Sequence, residues 1–459
     1  MPAAILSEWM HTPPAREVPG AIRVSEVLSA LSHALDLTEG QAAGHAVRSC
    51  VIGMHLAAEI GLDAKRCGDL YYALLMKDAG CSSNASRLAQ MLGSDDVMAK
   101  RDVKTVDWTR IGRESIAWAL SHVKKGAPFP ERARALFEMA LNEKRSAREL
   151  VSIRCERGAS IARRIGLSET AAEAIYSLDE LWAGCGHPRG LRGEEIPLLS
   201  RIMNLAQNVD VFHTKHGRTA ALAMARKRSG RWFDPRLVDA LGSVAKRGAM
   251  WNDLREAGRR VTGMEPVSAA LPATEETIEN ICIAFSEVID AKSPYTFWHS
   301  AGVADTAVRM AHAMSLRKAE ITLIRRAALL HDIGKLGVSS RILDKPDKLT
   351  PAEWMVVRRH PHYSGSILRR VPGFAEVSEL AASHHEKLDG SGYFRNLTAD
   401  QLPLPARILA VADIYDALSN ERPYRQALPA GKVLETISKD APRALDADCV
   451  EALKRSVAY

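Results

Sequence analysis

Two distant stretches of the chain repeat one another. Ala73-Leu74-Leu75-Met76-Lys77-Asp78-Ala79-Gly80 lies over Ala327-Ala328-Leu329-Leu330-His331-Asp332-Ile333-Gly334 at a shift of 331 − 77 = 254, which also sets His45 on His299 and Leu62 on Leu316. Further on, Ser160-Ile161-Ala162-Arg163-Arg164 lies over Ser366-Ile367-Leu368-Arg369-Arg370 at 366 − 160 = 206. That shift also pairs Gly184 with Gly390, Gly186 with Gly392 and Arg201-Ile202 with Arg407-Ile408. Helices rich in alanine and leucine can align by accident, but a constant shift through glycines, arginines and a histidine argues for duplication. The shift changes by 254 − 206 = 48, so the first copy carries an insertion of that length, placed near 82–134. At 459 residues the chain is also too long for one ordinary core.

Each copy reads as helix. Ser25 to Leu37, Gln41 to Ile60, Ser115 to Lys124, Arg132 to Asn142, Ser146 to Ile165 and Glu194 to Phe212 carry apolar residues at helical spacing, and alternating β-branched runs are missing. The fold class is all-α, two tandem helical domains. Gly263, Pro266 and Pro272 break the composition before Glu275-Glu276 opens a new helix. The boundaries are therefore 1–257 for the first domain, 258–274 for a linker and 275–459 for the second.

No apolar run reaches the roughly 18–20 residues of a membrane span. Met1 to Pro19 carries Glu8 and no long apolar core, so it does not read as a signal peptide. A cytoplasmic location is the expectation. The formal charge of +7 could suit nucleic acid, but the bases are scattered, and Arg226-Lys227-Arg228 reads as a solvated helix face. Seven cysteines without a C-x-x-C pair fit free thiols rather than disulfides or a structural zinc site.

The histidines carry the chemistry. Seven of the 15 (residues 299, 312, 331, 360, 362, 384 and 385) crowd into the second copy. His331-Asp332 follows the apolar helix end Ala327-Ala328-Leu329-Leu330, where both side chains can turn toward one ion. With His299, His360, His384-His385 and Asp413 they make seven potential ligands, all imidazole or carboxylate. Such donors suit iron, manganese or zinc. Two ions sharing a bridging carboxylate would drive phosphoester hydrolysis. A lone His360 or His384 is more often a buried histidine than a ligand; seven together shift the balance toward ligation. His312 and His362 fit no slot and are assigned to the surface, and Asp416 is assigned a supporting or capping role.

The ordered words carry a family resemblance. They run Asp290-Ala291-Lys292, Tyr295-Thr296, His299-Ser300, His331-Asp332-Ile333-Gly334-Lys335, Lys345-Pro346 and His360-Pro361. They continue with His384-His385-Glu386-Lys387-Leu388-Asp389-Gly390-Ser391-Gly392-Tyr393, Ala410-Val411-Ala412-Asp413 and Arg422-Pro423-Tyr424-Arg425. Over residues 275–435 the chain resembles the HD-GYP domain, a subclass of the HD metal-dependent phosphohydrolases. The resemblance implies a helical domain hydrolysing the second messenger cyclic di-GMP. It implies His299, His331, Asp332, His360, His384, His385 and Asp413 as metal ligands, with Asp332 as the bridge and catalytic centre. Lys335 would stand beside the scissile phosphate, and Arg422 and Arg425, three apart on one helical face, would grip phosphate or guanine. Tyr295 stands where some members carry an extra acid, so two ions are favoured over three, with iron or manganese preferred.

Departures from the pattern bear on substrate grip and rate. Phe394 replaces the name-giving proline in Gly392-Tyr393-Phe394, a change that could loosen that loop or reshape a surface for protein partners. Gly302 stands where an arginine is common. In the first copy only His45 and Asp78 survive at matching positions; the others become Lys77, Arg154, Leu178, Asp179 and Gln207, and Lys335 becomes Cys81. That copy is a degenerate HD domain, serving as a packing partner or sensor. The alternatives to a cyclic di-GMP phosphodiesterase are a weakly active or inactive cyclic di-GMP-binding signalling module, and a phosphohydrolase of another nucleotide.

Overall fold

The computed structural model describes residues 22–110, 112–423 and 425–457. The stretch tested above for a signal peptide lies outside them. Among the described residues the structure is helical, with isolated β-bridges and no sheet. No helix there is long and apolar enough to cross a membrane. The chain divides into two compact units between Thr277 and Ile278.

The first unit holds α1 (Val24–Thr38), α2 (His45–Glu59), α3 (Ala64–Met76), α4 (Ala85–Leu92), α5 (Asp96–Val103) and α6 (Arg113–His122). These are followed by α7 (Phe129–Ile165), α8 (Glu169–Tyr176), α9 (Leu198–Arg228), α10 (Pro235–Arg247), α11 (Ala249–Arg255) and α12 (Ala257–Arg260). The second holds α14 (His299–Ala313), α15 (Lys318–Leu330), α16 (Ser340–Leu343), α17 (Pro351–Val357), α18 (His360–Leu368), α19 (Ala375–Ser383), α20 (Leu404–Ser419), α21 (Ala430–Asp440) and α22 (Ala447–Val457), with α13 (Glu275–Asp290) leading in. In each unit the helix that begins at the shared histidine is central. Helix α2 packs on α1, α3 and α9, and α14 packs on α15, α20 and α22.

The duplication extends to individual contacts. Asp36 accepts the amides of Gly44, His45 and Ala46 at 2.7–3.0 Å, while Asp290 accepts the Ser300 amide at 3.1 Å and its hydroxyl at 2.7 Å. Both carboxylates cap the exposed N–H groups of the histidine helix. A Cβ on Gly80 would meet the Arg154 carbonyl at 1.9 Å, and one on Gly334 would meet the His360 carbonyl at 2.1 Å, the same crossing in both units. Glu180 receives the amides of Arg189 and Leu191, as Glu386 receives those of Arg395 and Leu397.

Several helices differ from the sequence expectation. Helix α2 begins at His45 because Gly44, at φ +83°, turns the chain there. The two helices expected over 132–142 and 146–165 are one, α7, since no proline or glycine interrupts residues 142–146. Helix α9 starts after Pro197 and continues beyond Phe212 to Arg228, across a non-helical Gly217. The stretch 258–274 belongs to the first unit. Within it Glu265 is buried, accepting the Tyr72 hydroxyl, the Ser25 hydroxyl at 2.8 Å and Arg23 Nη1 at 3.0 Å.

Candidate metal centre

Helix ends deliver most of the site. His299 opens α14; His331 and Asp332 close α15; His360 opens α18; His384 and His385 follow α19; Asp413 lies within α20. The tight crossing at Gly334 lets the α15 end approach the start of α18, bringing Asp332 beside His360. All seven expected ligands come together, and all except His385 are buried.

Asp332 stands between two groups of donors. Its Oδ2 lies 3.7 Å from His299 Nε2 and 3.4 Å from His331 Nε2. Its Oδ1 lies 3.2 Å from His360 Nε2 and 3.6 Å from His384 Nε2. Asp413 closes the first group with Oδ1 at 3.3 Å from His299 Nε2, and its Oδ2 reaches toward His385 Nδ1 at 3.6 Å. One carboxylate thus faces two clusters: His299, His331 and Asp413 on one side, His360, His384 and His385 on the other.

The backbone fixes the ring tautomers. His331, His360 and His384 each turn Nδ1 to the carbonyl three residues earlier, at 2.6–2.7 Å, so Nδ1 donates and Nε2 presents a lone pair to the site. Two such nitrogens, His360 Nε2 and His384 Nε2, face each other at 3.1 Å. Paired lone pairs repel unless a cation lies between, and ion–nitrogen distances of about 2.1 Å fit that gap. His331 Nε2 and Asp332 Oδ1 are buried without a hydrogen-bond partner. The orphaned atoms and the nitrogen–oxygen donor set fit divalent ions.

Electrostatics agree. Burial alone would raise Asp332, but His331 and Lys335 outweigh it and hold the carboxyl well below its usual range. Burial, with His385, His331 and His360 nearby, pushes His384 well down, and burial lowers His385 to about 3. Burial also opposes the charged form of His299, yet Asp413 and Asp416 overcome it and raise His299 to about 9. The buried carboxylates demand positive charge, which protons or metal ions can provide.

Other expected residues divide. Lys335 Nζ lies 2.5 Å from Asp332 Oδ2 at the rim of the cluster. Arg422 and Arg425 are not on a helical face; both follow the end of α20 in a tight loop. Arg422 points back to the Tyr295 carbonyl (3.3 Å) and His299 Nδ1 (3.4 Å). Arg425 instead donates to the carbonyls of Ala417, Leu418, Asn420 and Gln426, bracing the helix C-terminus. Asp416 Oδ2 accepts from His299 Nδ1 at 2.5 Å, the supporting role expected. Gly302 has a steric reason: a Cβ there would lie 2.2 Å from Asp416 Oδ1. His312 is exposed, but His362 is partly buried and meets the exposed Phe394 ring edge-on at 5.2 Å. Sequence reasoning missed Asp290 as a helix cap and Glu386 as a loop brace; their matches at Asp36 and Glu180 could have revealed them.

In the first unit the same place is filled by ion pairs. Lys77, fully buried, pairs with Asp78, and Arg154 with Asp179. The His45–Asp210 contact persists at 2.7 Å, now shared with Arg48. Glu39, Asp78 and Cys81 do converge, but Lys77, Lys100 and Lys104 already neutralise them. Burial raises the Cys81 thiol, which disfavours the thiolate a metal needs.

The HD domain family matches residues 85–237 and 284–449. The chain is 42% identical over 436 residues to the 3′3′-cGAMP-specific phosphodiesterase 3 of Vibrio cholerae, covering 95% of this chain and 94% of that protein. It is 40% identical over 148 residues to the cyclic di-GMP phosphodiesterase response regulator RpfG of Xanthomonas campestris, covering 32% of this chain and 39% of that protein. Among solved structures, a crystal structure of a cyclic GMP-AMP-specific phosphodiesterase from V. cholerae matches with a TM-score of 0.66 at 38% identity. That match covers 96% of this chain and 98% of the other.

Proposed function

We propose that this chain, which belongs to the HD-domain family and is a metal-dependent phosphodiesterase, hydrolyses a 3′3′-linked cyclic dinucleotide, with cyclic GMP-AMP as its preferred substrate. The observation that carries the chemistry is Asp332, one carboxylate oxygen turned to each of two donor clusters. The preference for cyclic GMP-AMP is supported by likeness to the V. cholerae enzyme along nearly the whole length of both chains. Cyclic di-GMP, the substrate expected from the motifs, is the second reading, supported by the shorter likeness to RpfG.

His299, His331 and Asp413 would hold one ion, and His360, His384 and His385 the other, with Asp332 bridging. Iron or manganese suits this set. When bound, two such ions supply Lewis-acid activation of water and phosphoryl oxygen. The protein holds the ligands rigid: three histidines are fixed by backbone carbonyls and His299 by Asp416. Lys335 stands where its ammonium can turn from Asp332 to a phosphate oxygen as charge builds in the transition state. Arg422 lies at the edge of the site, free of the helix-end carbonyls that occupy Arg425, and is assigned to substrate phosphate. The Gly392-Tyr393-Phe394 loop remains a proposed surface for protein partners.

Incubating manganese-loaded protein separately with 3′3′-cyclic GMP-AMP and cyclic di-GMP, and resolving linear products by chromatography, tests the reading. Cleavage of cyclic GMP-AMP at a higher kcat/KM, lost in Asp332→Ala, is expected. Faster cleavage of cyclic di-GMP selects the second reading. Equal activity in Asp332→Ala removes the assigned centre.

A further inference from the structure

The first unit holds a partly open cavity of about 300 Å³ beside the ion pairs that fill its dismantled site. Arg154, Asp179 and Gln207, the counterparts of His360, His385 and Asp413, line it. The inserted segment supplies much of the remaining wall, through Asn84, Lys100, Lys104, Trp108 and Trp118.

Three features of the wall converge on one ligand chemistry. Trp108, Trp118 and Trp232 line the cavity, with Trp108 5.4 Å from Trp232 and stacked on His187 at 6.0 Å. Flat aromatic walls favour a planar heterocycle. Gln207 and Asn84 are each more than nine-tenths buried, and Gln207 Oε1 and Asn84 Oδ1 have no hydrogen-bond partner. Buried acceptors of this kind are costly unless a ligand donates N–H groups to them. Lys100, Lys104 and Arg154 line the cavity together with Glu39 and Asp179. Lys104 meets Glu39 at 2.7 Å and Lys100 meets it at 3.8 Å, so the cations are already clustered where an anion would add to the network.

We infer that this cavity binds a purine mononucleotide: the base against the tryptophans with its N–H groups on Gln207 and Asn84, the phosphate toward Lys100, Lys104 and Arg154. The volume, at the low end for small-molecule sites, suits one nucleotide better than a cyclic dinucleotide. The inference stands whatever the second unit hydrolyses.

Isothermal titration of the full chain with GMP and AMP, with UMP and inorganic phosphate as comparisons, tests it. Asp332→Ala protein is titrated alongside, to separate binding at the catalytic centre. Saturable binding of at least one purine nucleotide below about 1 mM is expected, retained in Asp332→Ala and weakened about tenfold or more in Gln207→Leu and in Trp108→Ala. UMP and phosphate should bind at least about tenfold more weakly. Hydrogen exchange on the unmodified chain guards against misfolded variants: nucleotide should protect residues near 84, 100–108 and 204–208. No saturation, protection confined to the second unit, or equal binding of UMP overturns the assignment.

Discussion

Replacing Asp416 by alanine should weaken one metal ion and spare the other. The substitution leaves every proposed ligand in place and removes only the carboxylate that accepts from His299 Nδ1 at 2.5 Å. His299 belongs with His331, Asp413 and Asp332 Oδ2; the His360, His384 and His385 cluster faces Asp332 Oδ1 and does not touch Asp416. Carboxylates behind ligating histidines hold about 10–100-fold in metal affinity, which is about 1.4–2.7 kcal/mol at roughly 1.4 kcal/mol per decade. The whole loss should fall on the His299 ion. Manganese titration against a competing chelator, with bound metal counted by mass spectrometry, separates the two sites. In Asp416→Ala one dissociation constant should rise by that factor while the other changes less than about threefold. Asp332→Ala should weaken both. Equal weakening of both sites by Asp416→Ala, or of neither, refutes the division of the cluster.

Gly302→Ala should reproduce that one-sided loss in the same titration, since its new methyl would lie 2.2 Å from Asp416 Oδ1 and must displace it. Arg425→Ala should lower thermal stability, at a cost of about 1–2 kcal/mol for its lost carbonyl contacts, while KM changes little. Arg422→Ala should do the reverse, raising KM about tenfold with little change in melting, so the two arginines separate in one pair of assays. Acidification should destabilise the first unit through His45. Burial first, and Lys77 second, lower His45 to about 4, so the folded unit keeps it neutral while the unfolded chain protonates it near 6.5. That stability is present above pH 6.5 and is lost as pH falls toward 4, by about 3 kcal/mol at most. Melting followed across that window should show the loss, and His45→Gln should flatten it.

The parts of the fold that were legible in the sequence are those that steric necessity writes into single residues. Gly80 and Gly334 admit no side chain at the helix crossing, so the repeat survives there even after the chemistry around it has changed. The seven residues that converge were legible because metal coordination, the chemistry proposed for them, restricts residue type, and most of them sit at helix ends. Arg425 was misjudged because a guanidinium that caps a helix and one that grips a phosphate are the same letter; only where the helix stops distinguishes them. The burial of Glu265 within the stretch read as a linker was not legible. Prolines and small residues signalled irregular backbone, but the docking of Glu265 depends on Tyr72 and Ser25, far away in sequence. The cavity of the first unit was invisible, since part of its wall comes from an insertion that has no counterpart to be compared with.

Lys77 has a consequence for how the protein is made. Its ammonium arrives with the polypeptide, so the charge on Asp78 is balanced as soon as the chain collapses. At Asp332 the proposed balance adds metal ions, which must be acquired from the cell. A chain synthesised under metal starvation would therefore complete its first half from its own residues and leave the second waiting on supply, making activity, rather than the cavity of the first unit, the part of the molecule that reports on the metal economy of its host.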